Sequence, residues 1–179
     1  MTKQEIITAA AHIIQSEGYD MLTMSSLAQA LDVRKASLYY HFDGKEKLID
    51  AIYDHYEREC LHLGFSVDFS KDVRTVFSTA LAHWKSIFMS PSRSPFISLI
   101  QQRREIDERA WDDSNSFRLM IAGQCEAILD NLAATGRLRI TSARLMSLML
   151  STTLYEGLVS QTIDVDAFVE EFIRTYEAS

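Results

Sequence analysis

Arg34, Lys35, Ser37, Tyr39, Tyr40 and His41 crowd hydrogen-bonding side chains into one short segment, with only Leu38 and Phe42 available as inward anchors. Guanidinium, ammonium, hydroxyl and imidazole donors grouped in this way suit the acceptor oxygens and nitrogens of phosphates and base edges. The major groove of DNA offers those acceptors and admits a single α-helix. Between residues 34 and 47, Arg34, Lys35, Lys45 and Lys47 outnumber Asp43 and Glu46. The whole chain carries a formal charge of −7, which excludes indiscriminate coating of nucleic acid. Local attraction to phosphate needs only a local basic patch.

The elements that must hold this segment read as helices. Thr2 and Glu5 have capping-box spacing, Ile6, Ala10, Ile13 and Ile14 follow with helical period, and Gly18 supplies a stop. Thr23 is a plausible N-cap for a second helix with Met24, Leu27, Ala28 and Leu31 inside. Asp32-Val33 makes the turn, where Asp tolerates left-handed backbone. A third helix runs from about Arg34 to His41. Asp43 to Glu46 again has capping-box form and opens a fourth helix, with Leu48, Ile49, Ile52, Tyr53 and Tyr56 on one side.

These residues carry a resemblance. Gly18-Tyr-Asp-Met-Leu-Thr-Met, then Leu27-Ala, Leu31-Asp-Val-Arg-Lys-Ala-Ser-Leu-Tyr-Tyr-His-Phe and Lys45-Glu-Lys-Leu are similar to the N-terminal domain of the TetR family. Those proteins are dimeric, all-helical transcriptional regulators, mostly repressors released by a small ligand. The resemblance implies that Lys35, Ser37 and Tyr40 face base edges or nearby phosphates and that Tyr39 and His41 contact the backbone. It implies that Lys45 holds a phosphate, and that Thr23 and Ser25 cap the second helix or touch phosphate. Asp32 replaces the usual glycine of the turn and Ala36 a usual glycine or proline. Arg34 stands where a small hydroxyl residue is common, and adds a further candidate contact.

Beyond residue 63 the chain breaks pattern over 64–70 and then resumes helices at about 71–89, 94–107, 110–135, 141–163 and 166–177. Pro91 ends one helix, and Ser94-Pro95 places an N-cap before a first-turn proline. His83, Trp84, Phe88, Phe96, Trp111, Phe117, Met120 and Tyr155 are candidates to line an apolar effector pocket. The alternative for each is plain core packing. The eighth helix is apolar over most of its circumference and the ninth has an apolar stripe. Leu145, Leu148, Met149, Thr152, Phe168 and Phe172 are therefore candidates for a four-helix homodimer interface, which the resemblance also implies. Arg103 and Arg104 read as a solvated charged face rather than an anion site.

His55, Glu59 and His62 share a helix face and form a weak candidate metal site, without a fourth ligand. No metal or other cofactor is expected. No nucleophile–base pairing, phosphate loop or carboxylate pair is present, so an enzyme is not expected. Two cysteines without spaced pattern, and no run near the roughly 18 apolar residues of a membrane span, predict a soluble cytoplasmic protein with no membrane partner.

The expectation is an all-α protein of about nine helices. Residues 1–47 form a three-helix helix-turn-helix DNA-binding domain. Residues 48–179 form a larger helical effector-binding and dimerisation domain, and a helix over 43–62 links the two. The leading function is a dimeric regulator, a repressor released from a palindromic double-stranded DNA operator by a small molecule. The alternative is a helical ligand- or partner-binding protein that keeps the hairpin only as a scaffold.

Overall fold

The computed structural model describes residues 1–61 and 64–178, with the side chains at 58, 59 and 61 left aside. Among the described residues the chain forms nine α-helices, one 3-10 turn and no strand. The helices are α1 (Lys3–Glu17), α2 (Met24–Ala30), α3 (Lys35–Tyr39), α4 (Lys45–Leu61), α5 (Val73–Phe88), α6 (Ser94–Arg103), α7 (Glu108–Ala134), α8 (Ala143–Ser160) and α9 (Val165–Tyr176). The expected all-α architecture holds. No helix among the described residues is long and apolar enough to cross a membrane.

Two compact units divide the chain: residues 1–63 with 91–113, and residues 64–90 with 114–179. In the first, α1 packs most extensively against α6 and more lightly against α2 and α4. Ile6, Ala10, Ile13 and Ile14 of α1, Leu27 and Ala28 of α2, Leu48 and Ile52 of α4, and Leu99 and Ile100 of α6 are all buried there. Phe96 stacks on Tyr56 with centroids 5.5 Å apart and meets Tyr53 edge-on at 5.8 Å.

The first three helices start and stop for local reasons. Thr2 closes the capping box with Glu5, whose carboxylate accepts from the Thr2 N–H at 2.7 Å. Gly18 ends α1 at φ 100°, a region that side chains avoid. Thr23 Oγ1 accepts from Ser26 N at 3.0 Å, and Ser26 Oγ answers by accepting from Thr23 N at 2.9 Å. Asp32 takes φ 51° in the turn, as its type allows. Helix α4 begins at Lys45, one residue later than a cap at Asp43 sets it. At α6 the helix already includes Ser94, whose hydroxyl donates to the Pro91 carbonyl at 3.4 Å instead of capping.

In the second unit, α5 packs against α8 and α9. Phe88 meets Phe117 and Tyr155 edge-on at 5.3 and 5.8 Å, and Phe77 meets Phe172 at 5.6 Å. Buried polar atoms are mostly matched: Trp84 Nε1 donates to Gln124 Oε1 at 2.6 Å, and the Ser114 and Tyr155 hydroxyls lie 2.8 Å apart. Gly157 allows α8 to meet the chain entering α9. A Cβ there lies 2.5 Å from Val165 Cγ1 and 3.3 Å from the Ile163 carbonyl oxygen. Each unit also encloses one buried cysteine that is not in a disulfide, Cys60 in the first and Cys125 in the second.

Candidate nucleic-acid interface

Helix α3 has five residues and no side-chain N-cap. Such a helix does not hold itself in water. Leu38, fully buried, and Phe42, buried just after the helix, anchor it. The remaining side chains are left outward. Arg34, Lys35, Ser37 and Tyr39 are exposed, and Tyr40 is 89% exposed. His41 is half-buried, its ring edge-on to Tyr40 at 5.3 Å. The Lys35 ammonium lies 6.0 Å from the Tyr39 ring centroid, so cation and ring share one surface. Two tyrosines and two cations are thus exposed on or beside this short element.

The expected contact residues are therefore gathered on or beside α3, with three exceptions. Thr23 caps α2, and of its two readings this is the role visible; Ser25 is exposed beside it. Lys45 does not extend outward. Its ammonium donates to the Tyr19 carbonyl oxygen at 2.8 Å and lies 3.8 Å from the Tyr19 ring centroid. Burial lowers its pKa from the ordinary lysine value, against the raising effect of Asp20 and Glu46.

Gln102, which the sequence did not single out, and Arg103, which it placed on a solvated face, surround the same spot. Gln102 Oε1 accepts from Tyr19 N at 2.7 Å while its Nε2 donates to the Ile14 carbonyl at 3.2 Å. Arg103 is neither solvated nor poised for an anion. Its guanidinium lies 4.1 Å from the Tyr19 centroid, and its Nε donates to Asp107 Oδ2 at 3.0 Å. The signal for this cluster is long-range: residues 19 and 102 are 83 positions apart.

The other candidates are distributed differently. Trp84, Phe88, Phe117 and Tyr155 are buried together in the second unit. His83 and Met120 are half-buried there. His83 has its ring edge-on to Phe65 at 5.2 Å, its Nε2 is buried without a hydrogen-bond partner among the described residues, and burial lowers its pKa. Phe96 and Trp111 belong to the first unit, Phe96 inside it against Tyr53 and Tyr56 and Trp111 59% exposed. Of the interface candidates, Leu145, Leu148 and Met149 are 61, 45 and 62% exposed on α8, and Thr152 is exposed with them. Phe168 is half-buried, and Phe172 is buried within its own unit against Phe77. A groove of about 330 Å³ beside that surface is lined by Met146, Met149, Leu150, Phe168, Phe172 and Tyr176, among others. For the metal candidate, the side chain of Glu59 and all of His62 lie outside the described residues. His55 Nε2 lies 3.0 Å from Gln4 Nε2.

Comparison with known proteins agrees with this geometry. Residues 6–52 match the model of the family described as bacterial regulatory proteins, tetR family. Over 48 residues the chain is 40% identical to the biofilm operon icaADBC HTH-type negative transcriptional regulator IcaR of Staphylococcus aureus, covering 27% of this chain and 26% of that one. The match thus spans about a quarter of the curated relative. In fold the similarity extends over nearly the whole chain. A TetR-family transcriptional regulator from Agrobacterium tumefaciens superposes with a TM-score of 0.66 at 20% identity, over 98% of this chain and 97% of that one. NalD of Pseudomonas aeruginosa, the secondary repressor of the MexAB-OprM multidrug efflux pump, gives 0.60 at 19% identity, over 99 and 96%. The family is one of regulators, not enzymes. Residues 6–52 thus match the tetR family of bacterial regulatory proteins, and the chain as a whole shares its fold with solved structures described as TetR-family regulators.

Proposed function

We propose that this chain is a transcriptional repressor that reads a palindromic DNA operator as a homodimer and leaves it when a small molecule binds. The observation that carries this reading is α3, five residues long and anchored by Leu38 and Phe42, with Arg34, Lys35, Ser37, Tyr39 and Tyr40 turned outward. The repressing sign is taken from the relatives, a negative regulator and a repressor by name. Such a protein works in the cytoplasm, where its DNA is.

One α3 offers too few contacts for a tight specific complex, so two copies are needed. The exposed Leu145, Leu148, Met149 and Thr152 of α8, with the groove bordered by Phe168, supply a self-complementary apolar surface for the second copy. Within the second unit, Trp84, Phe88, Phe117, Met120, Tyr155 and the unpartnered His83 Nε2 are the proposed lining for an effector that is mostly apolar with one polar group. Such an effector acts by binding better to the arrangement whose two recognition helices no longer fit the half-site spacing.

The test is a gel shift on DNA from upstream of the protein's own gene. Specific binding should fall steeply with salt. Lys35→Ala and Tyr40→Ala should each weaken it by about 1–3 kcal/mol, the size of a lost base contact. Absence of salt-sensitive, palindrome-dependent retention overturns the proposal.

A further inference from the structure

The two ends of the hairpin are tied to each other. Tyr19 stands just ahead of α2, and Lys45 just after α3. The Lys45 ammonium joins them, donating to the Tyr19 carbonyl at 2.8 Å and sitting 3.8 Å from the ring centroid. Helix α6 completes the knot with two adjacent side chains. Gln102 takes the Tyr19 N–H and donates to the last turn of α1, and Arg103 lays its guanidinium 4.1 Å from the same ring, held there by Asp107. Gly18, at φ 100°, turns the chain so that Tyr19 can reach Gln102.

Two cations on one ring repel each other, so the arrangement needs nearby counter-charge, which Asp20, Glu46 and Asp107 provide. Helices of seven and five residues, α2 and α3, have no rigidity of their own. Their direction is set at their ends. We infer that Tyr19, Lys45 and the Gln102–Arg103 pair form a clasp that positions the recognition hairpin, and that Lys45 acts through Tyr19 rather than as a phosphate ligand. The inference rests on the operator-reading proposal for its consequence in binding, but the clasp itself is measurable without DNA.

The experiment combines amide hydrogen exchange with operator binding followed across salt concentrations, on the full chain. Tyr19→Leu, Lys45→Met and the milder Arg103→Gln should each lower protection of amides 24–42 and leave α8 and α9 amides unchanged. Operator affinity should fall about tenfold for Tyr19→Leu, with the salt slope kept. Tyr19→Phe, which preserves ring face and backbone, should restore both readouts. Lys35→Met serves as the contrast, flattening the slope by about one. Unchanged hairpin protection in all three variants overturns the clasp. So does a Lys45→Met slope flattened by about one with the hairpin still protected, which makes Lys45 a phosphate ligand. Hairpin deprotection in the variants, beside a wild type that retains no palindromic DNA, upholds the clasp and removes the operator reading instead.

Discussion

Asp113 sits in an environment at odds with its chemistry. Its side chain is buried, and among the described residues its Oδ2 has no hydrogen-bond partner and the buried Tyr53 hydroxyl is likewise unmatched. The neighbouring cation, Arg109, is engaged elsewhere, donating to Asp54 at 2.6 Å and Glu57 at 2.9 Å. Burial first, and then the Glu57 charge, push the Asp113 carboxyl up to about 7. The folded chain thus holds this proton more tightly than the unfolded chain does, so Asp113 detracts from stability as pH rises from the ordinary carboxylate range to 7. Asp113→Asn should raise the melting temperature at pH 8 and change it little at pH 4, in paired thermal unfolding scans. None of this was legible in the sequence, where Asp112-Asp113 looks like surface charge. Tyr40 was the opposite case, because an aromatic beside Tyr39 and His41 on a helix with so few anchors has nowhere inside to go. Lys45 and Arg103 fall between: their charge was visible, but their partner Tyr19 was not.

At the scale of elements, most of the fold was written in local pattern. The Thr2–Glu5 box, the Thr23 cap, the left-handed Asp32 and the Gly18 stop all act within four residues of themselves, and so could be read directly. Boundaries drifted by a residue or several where a cap had competitors, as at Asp43 and Ser94. What local pattern cannot encode is which helix an apolar face meets. That α6 returns to α1, with Gln102 reaching Tyr19, depends on tertiary packing alone. Gly157 shows the same limit, since a glycine inside a helix is unremarkable until the neighbouring chain is placed 2.5 Å from its absent Cβ. Gly157→Ala should destabilise the protein by about 1–3 kcal/mol even though alanine favours helix, because Val165 and the Ile163 carbonyl must move. Urea denaturation measures it, and a neutral or stabilising result would show that the α8–α9 junction yields.

The whole molecule poses the question of partners. The exposed α8 side chains Leu145, Leu148 and Met149 are unusual on a chain whose other helices bury most of their large apolar residues. Leu148→Arg combined with Met149→Arg should halve the mass seen by light scattering, while circular dichroism stays that of a folded helical protein. Operator retention should fall with it, because one α3 no longer has a second beside it. A wild type that is already monomeric at high concentration would count against the homodimer. The division into two units carries one more consequence. Cys60 lies fully buried in one, and Cys125 in the other has its thiol pushed up to about 12 by burial. Alkylation can reach each only when its own unit opens. The native protein therefore carries one buried thiol per unit, and the two alkylation rates separate the breathing of the first unit from that of the second without any probe having to be introduced.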